Sequence, residues 1–308
     1  MTVSQDVLAE RFAQHRSHLI GVAYRLTSTL SDAEDAVQEA WLRLSGLDER
    51  KRAGIRELRA WLTTVVGRIC LDRLRSATAQ REQYVGPWLP EPIVTPYGTP
   101  ASDDPLDTVV REDEVRMAAM VVLDRLTPEQ RVAFVLHDAF SVPFAEIGEI
   151  LGCPEATARQ HASRGRRAAA HADPPPRVAL DEQRVVVEQL LAAIIGGDVD
   201  TVVRLLHPDA VLIGDSDGKA RTARRLVVGA DKITRFLFGL VRAYGQHRII
   251  AGDLVLVNGD LGLAIPDVPA EDGYLEISRR VEAFAVRDGR VTAIYDVVNP
   301  DKLTRLAF

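Results

Sequence analysis

The chain has 308 residues, 46% of them apolar, and a net charge of −6. That length implies two or three globular domains, and the apolar content excludes a disordered chain. Cys70 and Cys153 lie far apart with no ligand cluster near them, which argues against a disulfide framework and a zinc site and fits a reducing cytoplasm. The first residues, MTVSQDVLAERFAQHR, are too polar for a secretory signal. The most apolar run, VVVEQLLAAIIGG, is interrupted by Glu188 and too short to span a bilayer, so no membrane attachment is expected.

Residues 5–77 read as helix. Leu8, Phe12, Leu19, Val22, Ala23 and Leu26 recur at helical spacing. Ser31 or Asp32 can cap a second helix whose first turn holds Glu34 and Asp35, where the helix dipole favours negative charge. Trp41, Leu42 and Leu44 are expected on its buried face. SGLDERKRAG reads as a charged loop, and a third helix is expected near Ile55–Ser76. Tyr84–Pro105 then holds six prolines, which exclude a long helix and imply an extended linker. Its WLPEP core is too apolar for a purely solvated spacer, so it is expected to pack on something.

Helix is expected again from Pro105 to Leu126, and Thr127–Pro128 is a start signal for the next one. Residues 143–170 have the size and turn chemistry of a helix-turn-helix around Gly152-Cys153-Pro154. In its first helix Phe144, Ile147, Ile150 and Leu151 can face a core. In its second, Ala158, Ala162, Gly165 and Ala169 share one face and permit close approach. The other face carries Thr157, Arg159, Gln160, Ser163, Arg164, Arg166 and Arg167. Ala156–Ala172 contains four arginines, two histidines and no acid. Such a face neutralises phosphates and releases counterions, so it reads as a DNA-binding surface, with a solvated helical hairpin as the bland alternative. After ADPPPR come two short helices and then alternating runs, among them AVLIGD, SRRVEAFAVRDG and RVTAIYDVVN, that read as strands, with Asp288-Gly289 as a hairpin turn.

These pieces in this order resemble a sigma factor of the extracytoplasmic-function class, within the sigma-70 family. Asp35-Ala36-Val37-Gln38-Glu39-Ala40-Trp41 is similar to region 2.2, which implies polymerase contacts by Asp35, Gln38 and Glu39. Leu58-Arg59-Ala60-Trp61-Leu62 through Asp72-Arg73-Leu74-Arg75 resembles regions 2.3 and 2.4, which implies −10 contacts by Arg56, Arg59, Trp61, Arg68, Arg73 and Arg75. Leu126 to Arg167 resembles region 4. This implies −35 contacts by Thr157, Arg159, Gln160, His161, Arg164, Arg166 and Arg167. Arg159, Gln160 and Arg164 are expected at base edges, Arg166 and Arg167 at phosphates. Core RNA polymerase and promoter DNA are the implied partners, with no cofactor, metal or catalytic group.

The chain continues for more than a hundred residues past region 4. The extension resembles a SnoaL-like α+β cone. YVGPWLPEP (84–92), DSDGK (215–219) and NPDKL (299–303) are similar to marks of the sigma subgroup carrying that fusion, with Ser216 and Asp217 standing where two glycines are usual. The expected fold is multidomain: a region 2 helical domain (1–77), a Pro-rich linker (78–110), a region 4 helix-turn-helix domain (111–172) and an α+β domain (178–308). Regulatory contacts are expected from Trp88, Leu89, Glu91, Lys219, Asn299, Asp301, Lys302 and Leu303, with Lys302 paired to Glu91 and Trp88 burial contributing more than that pair. Three readings of the extension stay open: regulation, sensing of a small-molecule ligand, and catalysis. For catalysis His207, Asp209, Tyr244, His247, Asp253, Tyr295 and Asp296 are candidates by residue type alone. The rivals for the whole chain are a helix-turn-helix regulator that never joins polymerase and a SnoaL-like enzyme with a helical accessory region.

Overall fold

The computed structural model describes residues 5–81, 83–99, 106, 109, 115–176, 178–249 and 252–306. Of the helix expected over 105–126, residues 105, 107–108 and 110–114 lie outside these, as do Pro100 and the ends of the chain. The chain divides into two compact units. One comprises Met1–Gln83, Ala101–Val115 and Ala119–Pro174; the other comprises Tyr84–Pro100, Arg116–Ala118 and Pro175–Phe308.

The first unit is helical. It contains α1 (Gln5–Ala13), α2 (Arg16–Thr27), α3 (Leu30–Ser45), α4 (Glu49–Ala53), α5 (Leu58–Arg81), most of α6 (Met117–Leu123), α7 (Pro128–Phe134), α8 (Phe144–Leu151) and α9 (Glu155–Ala172). Helix α3 begins earlier than expected. Thr29 is its N-cap residue, and the Thr29 hydroxyl donates to the Asp32 carboxylate at 2.6 Å instead of capping the backbone. Leu42 is 60% exposed, because the buried stripe runs through Ala33, Ala36, Val37, Ala40 and Leu44. The loop expected at 45–54 contains α4, capped where the Asp48 side chain accepts from the Lys51 amide at 2.8 Å. Helix α5 runs on to Arg81, past the end expected at Ser76.

Thr127 opens α7 with a reciprocal capping box: its hydroxyl accepts from the Gln130 amide while Gln130 reaches back to the Thr127 amide. The helix passes into a π-turn over Val135–Ala139. The small stripe on α9 meets α7 closely, as its composition implied. A Cβ on Gly165 would lie 2.8 Å from the Phe134 Cβ, so only glycine fits.

The second unit is α+β. Helices α10 (Leu180–Gly196), α11 (Val199–Leu205) and α12 (Ala230–Tyr244) pack with a seven-stranded sheet of order β1-β4-β5-β6-β7-β2-β3. The strands are β1 (Val94–Pro96), β2 (Leu206–Asp215), β3 (Val227–Val228), β4 (Asp253–Val257), β5 (Asp260–Ile265), β6 (Arg280–Arg287) and β7 (Arg290–Val297). Among the described residues only the β2–β7 pairing is parallel. Val187, Leu190 and Ile194 of α10, Ile233 of α12, and Leu263, Phe284 and Ile294 of the sheet share the core. The Asp288-Gly289 turn has positive φ at both residues, 51° and 68°, as the hairpin reading requires. Strand β1 comes from the Pro-rich segment and pairs with β4, so that segment is built into this unit. Arg116 is anchored here too, buried against Asp260 at 2.8 Å, with Gln183 bonded to the same carboxylate at 3.2 Å.

Among the described residues, no helix is long and apolar enough to cross a membrane. Among them also, no group of three or more His, Cys, Asp or Glu side chains could hold a metal ion.

Candidate nucleic-acid interface

Helix α3 presents Asp35 and Gln38 to solvent. Together with Phe12, Arg16 and Trp41 they line a groove of about 470 Å³ between α1 and α3. Glu39 is half-buried and pairs with Arg43 at 2.6 Å. The contribution of α1 to this surface was not read from the sequence, although Phe12 sits only 5.1 Å from the Trp41 ring.

The arginines along α5 and at its entry do not form an open stripe. Arg56 is exposed, but the others meet partners. Arg59 donates to His18 Nδ1 at 2.9 Å, leaving Nε2 to bond the Thr63 hydroxyl at 2.9 Å. Burial, and then the Arg59 charge, push the His18 pKa down to about 4. Arg73 lies 2.9 Å from Asp32 and 3.6 Å from Asp35, so a −10 candidate touches a polymerase candidate. Arg75 pairs with Glu129 of α7 at 3.1 Å and Arg68 with Glu149 of α8 at 3.6 Å. Thr64 donates to Glu146 at 3.3 Å beside them. Trp61 is half-buried.

On α9, Arg159, Gln160, Arg164, Arg166 and Arg167 are exposed, whereas Thr157 and His161 are half-buried. The expectation of a basic face without acidic partners needs correction. Arg159 pairs with Glu155 one turn earlier at 2.6 Å, and Arg166 pairs with Asp138 of the π-turn. The Arg159 guanidinium also lies 5.1 Å from the Phe144 ring centroid. One helical turn in sequence and the fold-back of the π-turn supply carboxylates that a count over 156–172 omits.

In the second unit the three marked segments meet at one residue, Asp215, which is fully buried at the end of β2. Its Oδ2 accepts from the Leu89 amide and from Lys302 Nζ, each at 2.6 Å, while Oδ1 accepts from the Tyr84 hydroxyl. Asn299 Nδ2 donates to the same hydroxyl at 2.8 Å. Burial, and then the Asp215 charge, push the Tyr84 pKa upward, so the phenol remains a donor. Lys302 Nζ also donates to the Leu89 carbonyl and lies 3.9 Å from the Trp88 ring centroid.

The expected partner of Lys302 was Glu91. The structure instead gives it Asp215 and the Leu89 carbonyl, while Glu91 meets Arg305 at 3.6 Å. The burial expected of Trp88 falls on Leu89 and Leu303, at 0% and 1% exposure, and Trp88 is half-buried. Asp217 takes a positive φ of 50°, and its Oδ1 accepts from the Val85 amide at 3.1 Å, so the turn that usually has glycine is made here by an aspartate with a bonded side chain. Lys219 bridges Asp217, at 3.2 Å, and Asp301. The sequence marked Asp215 within a motif but gave no sign that it collects the other two.

Of the residues considered for catalysis, His247 and Asp253 are exposed. His207 accepts from the Asp209 amide at 3.1 Å, a local turn contact. Tyr295 and Asp296 are buried on opposite faces of β7.

Comparisons with known proteins bear on the family of the chain. A model of Sigma-70 region 2 matches residues 11–80, and a model of Sigma-70, region 4, matches residues 116–168. The ECF RNA polymerase sigma factor SigJ of Mycobacterium tuberculosis is 54% identical, over 95% of this chain and 92% of the relative. A probable ECF RNA polymerase sigma factor, SigI, of the same species is 35% identical over 98% of this chain and 96% of its own length. The crystal structure of SigJ superposes with a TM-score of 0.81 at 52% identity, covering 96% of this chain and 98% of that one. The chain therefore belongs to the extracytoplasmic-function RNA polymerase sigma factors of the sigma-70 family.

Proposed function

We propose that this sigma factor directs core RNA polymerase to its promoters from the cytoplasm, and that its α+β extension sets its activity by holding the Pro-rich strap. It carries no catalysis of its own. The working division is 1–77 for region 2, 78–110 for the linker, 111–172 for region 4 and 178–308 for the extension. Asp35, Gln38 and Glu39 meet polymerase. Arg56, Arg59, Trp61, Arg68, Arg73 and Arg75 serve the −10 element. On α9, Arg159, Gln160 and Arg164 read base edges, with Thr157 and His161 alongside, while Arg166 and Arg167 position the helix on phosphates.

The observation that carries the regulatory half is the convergence of Leu89, Tyr84 and Lys302 on buried Asp215. A buried ion pair with one partner removed costs about 3–5 kcal/mol, so the clasp is a two-sided latch whose release changes the strap. Lys219, Asn299 and Asp301 support it from the DSDGK and NPDKL turns, and Leu303 anchors it.

Run-off transcription with purified core polymerase tests the reading, comparing the full chain with Lys302→Met and with a chain lacking 299–308. Promoter-specific transcripts with altered output in both variants are expected. Absence of specific transcripts from every form would refute promoter recognition, whereas identical output from all three would refute regulation by the clasp.

A further inference from the structure

Between α10, α12 and β6 lies an ionic cluster that promoter recognition does not use. A cavity of about 40 Å³ lies among Leu191 and Ile194 of α10, Leu237, Leu240 and Tyr244 of α12, and Arg280 and Glu282 of β6. Asp296 stands directly across from Glu282 in the β6–β7 pairing. Arg280 and Asp296 are each 5% exposed.

The donors and acceptors here do not balance. Arg280 spends its guanidinium on Asp296 Oδ2 at 3.3 Å, the Arg221 carbonyl at 3.2 Å and the Ser278 carbonyl at 3.4 Å. Thr222 donates to the same Asp296 oxygen at 2.5 Å. Asp296 Oδ1 is buried with no hydrogen-bond partner. Glu282 lines the cavity beside Arg280. Two carboxylates thus face one guanidinium, two of whose three hydrogen bonds go to backbone carbonyls. Burial, then Asp296, push the Glu282 pKa up to about 7, so a proton stands in for the missing cation. Tyr244 adds an aromatic ring to an otherwise apolar wall.

We infer that this cavity is a binding site for a small primary alkylamine, whose ammonium donates to the Glu282 carboxylate beside Asp296 while its short chain lies among Leu191, Leu237 and Leu240. A carboxylate ligand is disfavoured by the two acids already present, and a neutral alcohol leaves the charge unbalanced. The volume suits a head group and few carbons; by the space a water needs, it holds about three waters. The half-buried leucines at its rim can admit a short chain by changing rotamer. The site sits on the same strands as the clasp: Asp296 is the β2–β7 partner of Gly214, one residue before Asp215. Its consequence for transcription rests on the regulatory reading above, but binding itself is measured without polymerase.

The test uses the full chain with n-propylammonium, n-propanol and propionate as probes, followed by NMR titration at pH 7.5 and constant ionic strength. Propylammonium is expected to bind the wild type and to lose about 10- to 100-fold in Glu282→Gln, the range of a charged hydrogen bond. Propanol and propionate are expected to bind more weakly than the amine. Leu240→Trp, which fills the rim and leaves the ionic cluster intact, is expected to weaken the amine as well, and it carries the test if Glu282→Gln fails to fold. Proton release on amine binding at pH 6, seen in buffers of different ionisation enthalpy, separates charge exchange at Glu282 from a structural effect. The inference is overturned if the wild type does not bind propylammonium, if propanol binds as tightly, or if both folded variants bind the amine as well as the wild type. Any of these results leaves promoter recognition untouched.

Discussion

The Arg131 guanidinium of α7 donates from Nε to the Arg25 carbonyl at the end of α2, at 2.8 Å. It also bonds the Asp124 carboxylate and the Ser28 hydroxyl, and Ser28 itself donates to Asp124 at 3.0 Å. Ser28 terminates α2 in the left-handed region, at φ 64°, so this helix end meets region 4 through a charged side chain that is 1% exposed. Arg131→Ala leaves Asp124 nearly buried without this cation. A loss of about 3–5 kcal/mol is expected in chemical denaturation of the helical unit. Arg131→Lys should recover little of it, because an ammonium cannot span three acceptors in one plane.

The pairs Arg75–Glu129 and Arg68–Glu149 place carboxylates of region 4 where −10 phosphates are expected to sit. Both pairs are solvent-exposed, so each contributes about 0–1 kcal/mol to stability. Glu129→Gln with Glu149→Gln should therefore leave the melting temperature nearly unchanged while strengthening promoter-fragment binding by the free chain at low salt. Anisotropy titrations over a salt series measure this, and equal affinity in both proteins would show that these acids do not compete with DNA.

The proposed base readout by α9 makes a separate prediction. Arg164→Ala should cost about 1–3 kcal/mol and relax preference at one −35 position, whereas Arg167→Ala should weaken all sequences alike and lower the salt slope by about 1. Competition binding with single-base promoter variants distinguishes the two.

Stability should depend on pH with opposite signs in the two units. Folded His18 resists the proton that the unfolded chain takes up between pH 6.5 and about 4, so its contribution is complete above 6.5 and is lost as pH falls toward 4. Glu282 behaves inversely. Its carboxyl holds a proton in the fold up to about 7 but only to 4.5 when unfolded, so stability declines as pH rises across that window. Glu282→Gln should raise the melting temperature of the α+β unit at pH 8 and leave it unchanged at pH 4. A shift of equal size at both pH values would contradict the assignment.

Glycine contacts give a steric check. A Cβ on Gly214 would fall 2.1 Å from the Thr222 hydroxyl and 2.9 Å from the Ala223 backbone. Gly214→Ala should destabilise the α+β unit by about 1–3 kcal/mol. Because Thr222 is pushed off Asp296, the Glu282 titration should shift as well, which NMR can follow.

Periodicity and turn chemistry made most of the architecture readable. The Thr127–Pro128 start, the small stripe of α9, the Asp288–Gly289 hairpin and the helical-then-mixed order all follow from local rules. Leu42 was misplaced because the buried stripe runs through Ala33, Ala36, Val37, Ala40 and Leu44, and Leu42 lies off it. The surfaces were legible as residue types, but not in their partners. Arg75 with Glu129, and Lys302 with Asp215, are 54 and 87 residues apart in the chain, and no local pattern encodes such pairings. The cluster around Glu282 had a faint signal, a charged residue at an inward-facing parity in SRRVEAFAVRDG, which only the sheet pairing makes meaningful.

Strand β1 is the outermost strand of the sheet, and its partner β4 has Val94–Pro96 as its sole neighbour on that side among the described residues. Peeling the strap away would bare unpaired amides and carbonyls along Val255–Val257, an invitation to recruit another backbone. Unlatching thus carries a hazard of self-association, and a cell that keeps the strap loose must also supply something to sit on that rim.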